Sequence, residues 1–343
     1  MKKIVYVALG GEPPSPEGYA YLAKLAREHV KVLTQRMKVS TKAGEPVEIE
    51  FIVSTESNTA EEQKIFFNAF AGPRGHRKYQ IGIGVGYLAR LELLSRALVA
   101  DKTVLRGSTN SKLTSEQARK DGRNKVMSDF YFHYLITLVF MHELAHIVLG
   151  HVDWNAERRK QRELYEFFAL PLTPEQRAEM RVLEADADHQ AAKWAISMFD
   201  YSLQVNPHFK YKALPDQFYD FGHLLASKFQ LAEATEPDIP KEKRTHPDND
   251  TRVVVSLAFL ADYFEKYRPE HVQRFMEAAI NGALESLGHT IHSKSKAHDL
   301  TPAIIFMLKN GEQIDKLGVR HYLLKVEVGD GSFSVAESTE PAY

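Results

Sequence analysis

The chain has 343 residues, 44% of them hydrophobic and 26% charged, which allows one large globular domain or two. A formal net charge of −1 gives no bulk basic field, so nucleic acid is not expected as a partner. Zero cysteines exclude disulfides and thiolate ligands, leaving any metal to nitrogen and oxygen donors.

Residues 1–108 read as a mixed α/β region. The apolar run Ile4–Leu9 predicts a strand ending at Gly10-Gly11, too short an apolar stretch to favour a signal peptide. A proline-rich turn at Pro13-Pro14-Ser15-Pro16 precedes a helix over Tyr19–Met37. The alternation in Val47–Val53 predicts a strand, and a second strand at Tyr79–Val85 leads into a helix over Tyr87–Ala100. Gly82, Gly84 and Gly86 are spaced one position short of a dinucleotide fingerprint, and read instead as glycines at a strand end where another backbone comes close. Residues 109–127 form a polar linker. Residues 128–328 are mainly helical, so the fold class is α+β. Within that half, a helical stretch covers Glu157–Phe168, and Thr173 caps a helix that starts at Pro174, has Gln176 at its third position, and can run through Glu184 to Met198. A further helix spans Pro269–Leu287 with Gly288 after it, and His321–Val328 alternates as a strand that could return to the sheet. The polar tail 329–343 is expected to be disordered.

One pentad dominates the helical half. In His142-Glu143-Leu144-Ala145-His146 the histidines stand four apart, and on a helix such positions lie within about 40° of each other. Both imidazoles can face one Zn²⁺, with Glu143 one step round and able to reach a water on the ion. Phe130–Met141 and Ile147–Leu149 are apolar on nearly every side, as in a core helix. Polar groups inside such a helix need partners, and a metal serves all three. The ordinary alternative is a pair of core histidines bonded to backbone or carboxylates.

A zinc site needs a third protein ligand. His151 lies nine positions after His142, on the opposite face if the helix runs on, and Gly150-His151 reads better as a helix end. Glu184 is the stronger candidate. Glu184 and Asp188 are four apart on a second helix whose apolar face holds Val182, Leu183, Ala187, Ala191 and Trp194. Glu184 completes a His₂Glu set with the fourth position left for water, and Asp188 can accept the other ring N–H of a ligand histidine. Asp186 is expected to be solvated. Mn²⁺ or Fe²⁺ would also suit such donors, with zinc the expected ion.

These residues resemble a known group. Glu184-Ala-Asp-Ala-Asp188, several tens of residues after His-Glu-x-x-His, resembles the gluzincin pattern and is close to its version in HtpX-type and prenyl-protein-type zinc endopeptidases. Thr245-His246-Pro247-Asp-Asn-Asp-Thr-Arg252 resembles their His-Pro-x-x-x-x-Arg element. The whole set, including His-Glu-x-x-His-x-x-x-Gly-His, is similar to the bacterial phage-exclusion peptidases of the Lit family, over about Phe130–Phe259. The resemblance implies a zincin-like catalytic domain that hydrolyses peptide bonds, with Glu143 as general base and zinc on His142, His146 and Glu184. It also implies that His246 and Arg252 sit beside the metal, stabilising the oxyanion or holding surrounding carboxylates. On the residues alone, the same segment reads as a helix start with Pro247 at the first position.

A protein substrate follows from the resemblance, with narrow specificity or a latent state, and a Lit-like enzyme would cut one folded bacterial protein such as a translation factor. Residues 1–108 would then recognise substrate or trigger. A binding protein with a closed, structural zinc is the alternative class, and a fourth ligand such as His189 or His246 would mark it. Unlike HtpX-type enzymes, the chain is expected to lack membrane spans, because the uncharged run Phe130–Met141 falls short of the roughly 20 residues a span needs. A cytoplasmic setting is expected, and the oligomeric state is not legible.

Overall fold

The computed structural model describes residues 14–35, 37–55, 66–100, 123–160, 164–165, 172–205, 214–234, 240, 243–288 and 300–328. The strand expected at 4–9, most of the polar linker and the tail lie outside them. Helix α1 (Pro16–Gln35) buries Leu22, Ala23, Ala26, Val30 and Leu33, a helical spacing along one face. It stops short of Met37, because Met37–Ser40 forms strand β1 instead.

Strands β2 (Glu48–Ser54), β3 (Ala69–Gly75), β4 (Lys78–Gly84) and β5 (Leu164–Tyr165) make a sheet in the order β2-β4-β3-β5. β2 runs parallel to β4, and β3 lies antiparallel to both β4 and β5. β3 carries no clear strand signal, since Gly72-Pro73 interrupts it. The proline is tolerated because β5 pairs only with Phe70 and Ala71, which leaves Pro73 at an edge next to a register shift. A Cβ at Gly82 would come within 2.1 Å of the Phe70 ring, and one at Gly86 within 2.4 Å of Phe66. These glycines make room for aromatic rings rather than for a second backbone.

Helix α2 (Val85–Ala100) follows β4 directly. Helix α3 (Arg123–Val148) starts before position 128, so residues 123–127 are helical. Its stretch Lys125–Val148 is long and apolar enough to cross a membrane, yet 94% of its most apolar part is buried in the fold. It is a core helix, packed on α2 and on α5 (Pro174–Val205). Between them lies α4 (His151–Arg159), which ends at Lys160 with φ +56, shorter than the helix expected through Phe168. Leu164 and Tyr165 leave for the sheet, where their β propensity is used.

The start of α5 is a reciprocal cap. Thr173 Oγ1 accepts from the Gln176 N–H at 3.3 Å, and Gln176 Oε1 accepts from the Thr173 N–H at 3.0 Å. With no interior glycine or proline, the helix runs on for 32 residues and carries Glu184 about a third of the way along. Helices α6 (Leu214–Ala234), α7 (Asn249–Leu257), α8 (Leu260–Tyr267), α9 (Val272–Ser286) and α10 (Thr301–Leu317) follow. The stretch expected as one helix from Pro269 begins as a single 3₁₀ turn, and Gly288 ends it in a left-handed conformation. Another 3₁₀ turn covers Val319–Tyr322, and β6 (Lys325–Val328) pairs antiparallel with β1 in a two-stranded sheet of its own, not with the larger sheet.

Candidate active site

Helices α3 and α5 bring three donors together. His142 and His146 lie one turn apart on α3, Glu184 faces them from α5, and their exposures are 1%, 2% and 1%. The two Nε2 atoms are 3.1 Å apart, and Glu184 Oε2 lies 3.2 Å from that of His142 and 3.5 Å from that of His146. A tetrahedral zinc with ligands at about 2.0–2.1 Å spaces its donors about 3.3–3.4 Å apart, so the triangle has the right size. The two Nε2 atoms are within hydrogen-bond distance of each other, whereas Glu184 Oε2 is buried with no N–H well aligned on it. Two imidazoles and a carboxylate suit zinc chemically. These three residues could hold a metal ion.

A carboxylate–arginine pair stands behind His142. Its Nδ1 is 2.9 Å from Asp188 Oδ1, and Arg252 grips the same carboxylate with Nε at 2.6 Å and Nη2 at 2.9 Å. The guanidinium also lies 4.3 Å from the centre of the Phe229 ring. Arg252 is placed by α7, whose cap is Asp248, accepting the Thr251 N–H at 2.8 Å. Pro247 therefore precedes the helix rather than opening it, since Asp248 supplies the stronger cap. His246, from the same approach, puts Nε2 3.0 Å from Glu184 Oε2. His189 stands outside the triangle, with Nδ1 2.9 Å from the Val255 carbonyl.

His151 arrives by a route that helical angles do not predict. The angular reading takes the helix as unbroken, but α3 ends at Val148 and Gly150 adopts φ +83. The chain turns there, and His151 opens α4 with Nδ1 3.0 Å from His146 Nδ1 and Nε2 3.2 Å from Asp186 Oδ2. Asp186, expected to be solvated, is only 9% exposed and also takes Arg320 Nη2 at 3.1 Å. The available signal was Gly150 itself, a left-handed residue that stops a helix and redirects the chain.

Charge is unevenly shared across this cluster. Burial and the Lys228 charge press His142 towards neutrality, but Asp188 and Glu184 outweigh them and raise its pKa to about 9. Burial prevails at His146, whose pKa falls to about 4, and it also lowers His151. Burial opposes ionisation of Glu184, yet the His246 and His146 charges hold it well below the usual carboxylate range. At Asp188 burial is likewise outweighed, by Arg252 and then His142. The acids stay ionised, and His142 holds a proton that a metal ion would displace.

Residues 98–267, just under half of the chain, match the model of the Peptidase U49 family, the Lit-type peptidases. The match supports a peptidase. It spans His142, Glu143, His146, Glu184, Asp188, His246 and Arg252. The likeness to HtpX-type enzymes rests on short motifs alone. No curated protein and no solved structure matches the chain.

Proposed function

We propose that this chain is a zinc-dependent endopeptidase of narrow specificity. The observation that carries the reading is the buried triangle of His142 Nε2, His146 Nε2 and Glu184 Oε2, with Glu143 directly after the first histidine on α3. The Peptidase U49 match supports peptide bonds as the target. A zinc ion held by these groups supplies Lewis acidity, polarising a carbonyl and lowering the pKa of a water towards about 7. The chain's own residues do the rest. Glu143 is the general base, taking a proton from the attacking water and passing it to the departing amine. Asp188 Oδ1, 2.9 Å from His142 Nδ1, would accept the N–H there and keep the Nε2 of that ring turned inwards, while Arg252 holds Asp188 in place. His246 is the donor nearest the ligand carboxylate and would stabilise the developing oxyanion, an effect worth about 3–4 kcal/mol in other sites.

The test uses Glu143→Gln, which should retain zinc and lose most turnover. Expressing wild type and Glu143→Gln in the same cells and comparing new protein N-termini shows what is cut. One or a few cuts dependent on wild type support the proposal, hundreds refute narrow specificity, and equal cutting by both chains overturns the mechanism. The second reading is a closed structural zinc, in which His246 would have to move in as fourth ligand: its Nε2 lies 3.0 Å from Glu184 Oε2 but does not join the three mutually close donors. His246→Ala separates the two. Zinc is retained with slowed turnover if the site is catalytic, and lost with a drop in Tm if it is structural.

A further inference from the structure

A second line of buried polar side chains leaves the triangle through His146. We propose that His151 is a positioning residue for His146, the inner member of a relay running His146–His151–Asp186–Arg320. The inference rests on the zinc reading above.

The direction of each hydrogen bond follows from the first. A histidine that offers Nε2 to a cation carries its ring proton on Nδ1. His146 Nδ1 is 3.0 Å from His151 Nδ1, so His146 donates and His151 accepts. The His151 proton then sits on Nε2, and that atom faces Asp186 Oδ2 at 3.2 Å. The ionised carboxylate accepts, and its other oxygen takes Arg320 Nη2 at 3.1 Å. His151 is fully buried, whereas the Arg320 side chain is 39% exposed, so the relay starts at the triangle and ends at water.

Helix geometry explains why a histidine is interposed. Asp188 is four residues from Glu184, on the same face of α5, and meets His142 directly. Asp186 is two residues from Glu184, about 200° round the helix, and points away from the face that meets the triangle. His151, delivered by the turn at Gly150, spans that gap. The two ligand histidines are thus oriented from different parts of the fold, His142 through Arg252 on α7 and His146 through Arg320 on the turn after α10.

Removing such an outer partner typically costs ten- to a hundredfold in metal affinity. Zinc affinity is measured by chelator competition on the full chain, for wild type, His151→Leu, His151→Gln and Arg320→Ala, with unfolding of each metal-free form in parallel. His151→Leu should weaken zinc by about ten- to a hundredfold without a matching loss of metal-free stability. His151→Gln, whose amide can accept from His146 and donate to Asp186, should recover most of that loss, and Arg320→Ala should lose less than His151→Leu. In the zinc-loaded wild type, long-range proton–nitrogen NMR should show His146 protonated on Nδ1 and His151 on Nε2. Unchanged affinity in His151→Leu, or a His151 proton on Nδ1, overturns the relay while leaving the zinc reading intact. Should His151→Leu fail to fold, the glutamine variant and the wild-type tautomers still decide. A wild-type chain that binds no zinc overturns the zinc reading itself.

Discussion

Leu324 donates its backbone N–H to the carbonyl of Val148 at 2.9 Å. The last turn of the helix bearing both histidines is thereby closed by a residue just before β6. Gly150 lies under the same segment, where a Cβ would come within 2.4 Å of Tyr322 Cβ and 3.0 Å of the Val319 carbonyl. Gly150→Ala should therefore suffer twice, from its left-handed backbone and from the clash, by roughly 2–4 kcal/mol in total. Urea unfolding checks this, and an unchanged midpoint would contradict the packing of residues 319–324 on that turn.

Arg252 and Asp188 form a fully buried ion pair, each side chain 2% exposed. Arg252→Met would leave the carboxylate without its bidentate partner and should destabilise the chain by about 3–5 kcal/mol. Adding Asp188→Asn to that variant should restore part of the loss, a coupling that a double-mutant cycle measures directly. Strict additivity of the two substitutions would contradict the pairing.

Purified protein should carry close to one zinc per chain, and His142→Ala/His146→Ala should carry none. Elemental analysis by mass spectrometry after dialysis gives the answer. Full zinc retention in the double variant would place the metal elsewhere.

His29 on α1 meets Thr137 Oγ1 through Nε2 at 2.8 Å, with the His133 ring 4.9 Å away. Burial, and then the His133 charge, lowers its pKa to about 3. An unfolded histidine titrates near about 6.5, so between these values the unfolded chain binds a proton that the folded chain refuses. The contribution of His29 to stability is complete above about pH 6.5 and is lost as pH falls towards 3, at no more than about 1.4 kcal/mol per unit. The stability advantage of wild type over His29→Gln should accordingly shrink between about pH 7.5 and about pH 5. A constant advantage across that range would mean that His29 titrates as in water.

The parts of this molecule legible in the sequence are those written in one helical period. His142 and His146 are found by their spacing, and Glu184 by standing one turn before Asp188 on a second helix. The cap at Thr173 and the strands β2 and β4 are local patterns of the same kind. What escapes is set by chain reversal or by distance. His151 fails the angular test because Gly150 ends the helix first, and Asp186 looks solvated because Arg320, 134 residues away, has no local signature. β3 is hidden by its proline, and the β1–β6 pair joins segments that no short window contains. Arg252 was legible as a residue of interest, but its grip on Asp188 depends on how α7 packs against α5.

The pairing of Met37–Ser40 with Lys325–Val328 also sets an order of events during synthesis. On the ribosome, His142, His146 and Glu184 emerge long before Arg320 and Leu324. Contacts so distant in sequence form late, after the loop-closure entropy of most of the chain has been overcome. A nascent chain that stops before residue 319 has all three donors, but nothing to close the end of α3 or to hold Asp186 from outside. The contacts that close the end of α3 and reach Asp186 from outside are therefore among the last the growing polypeptide can make.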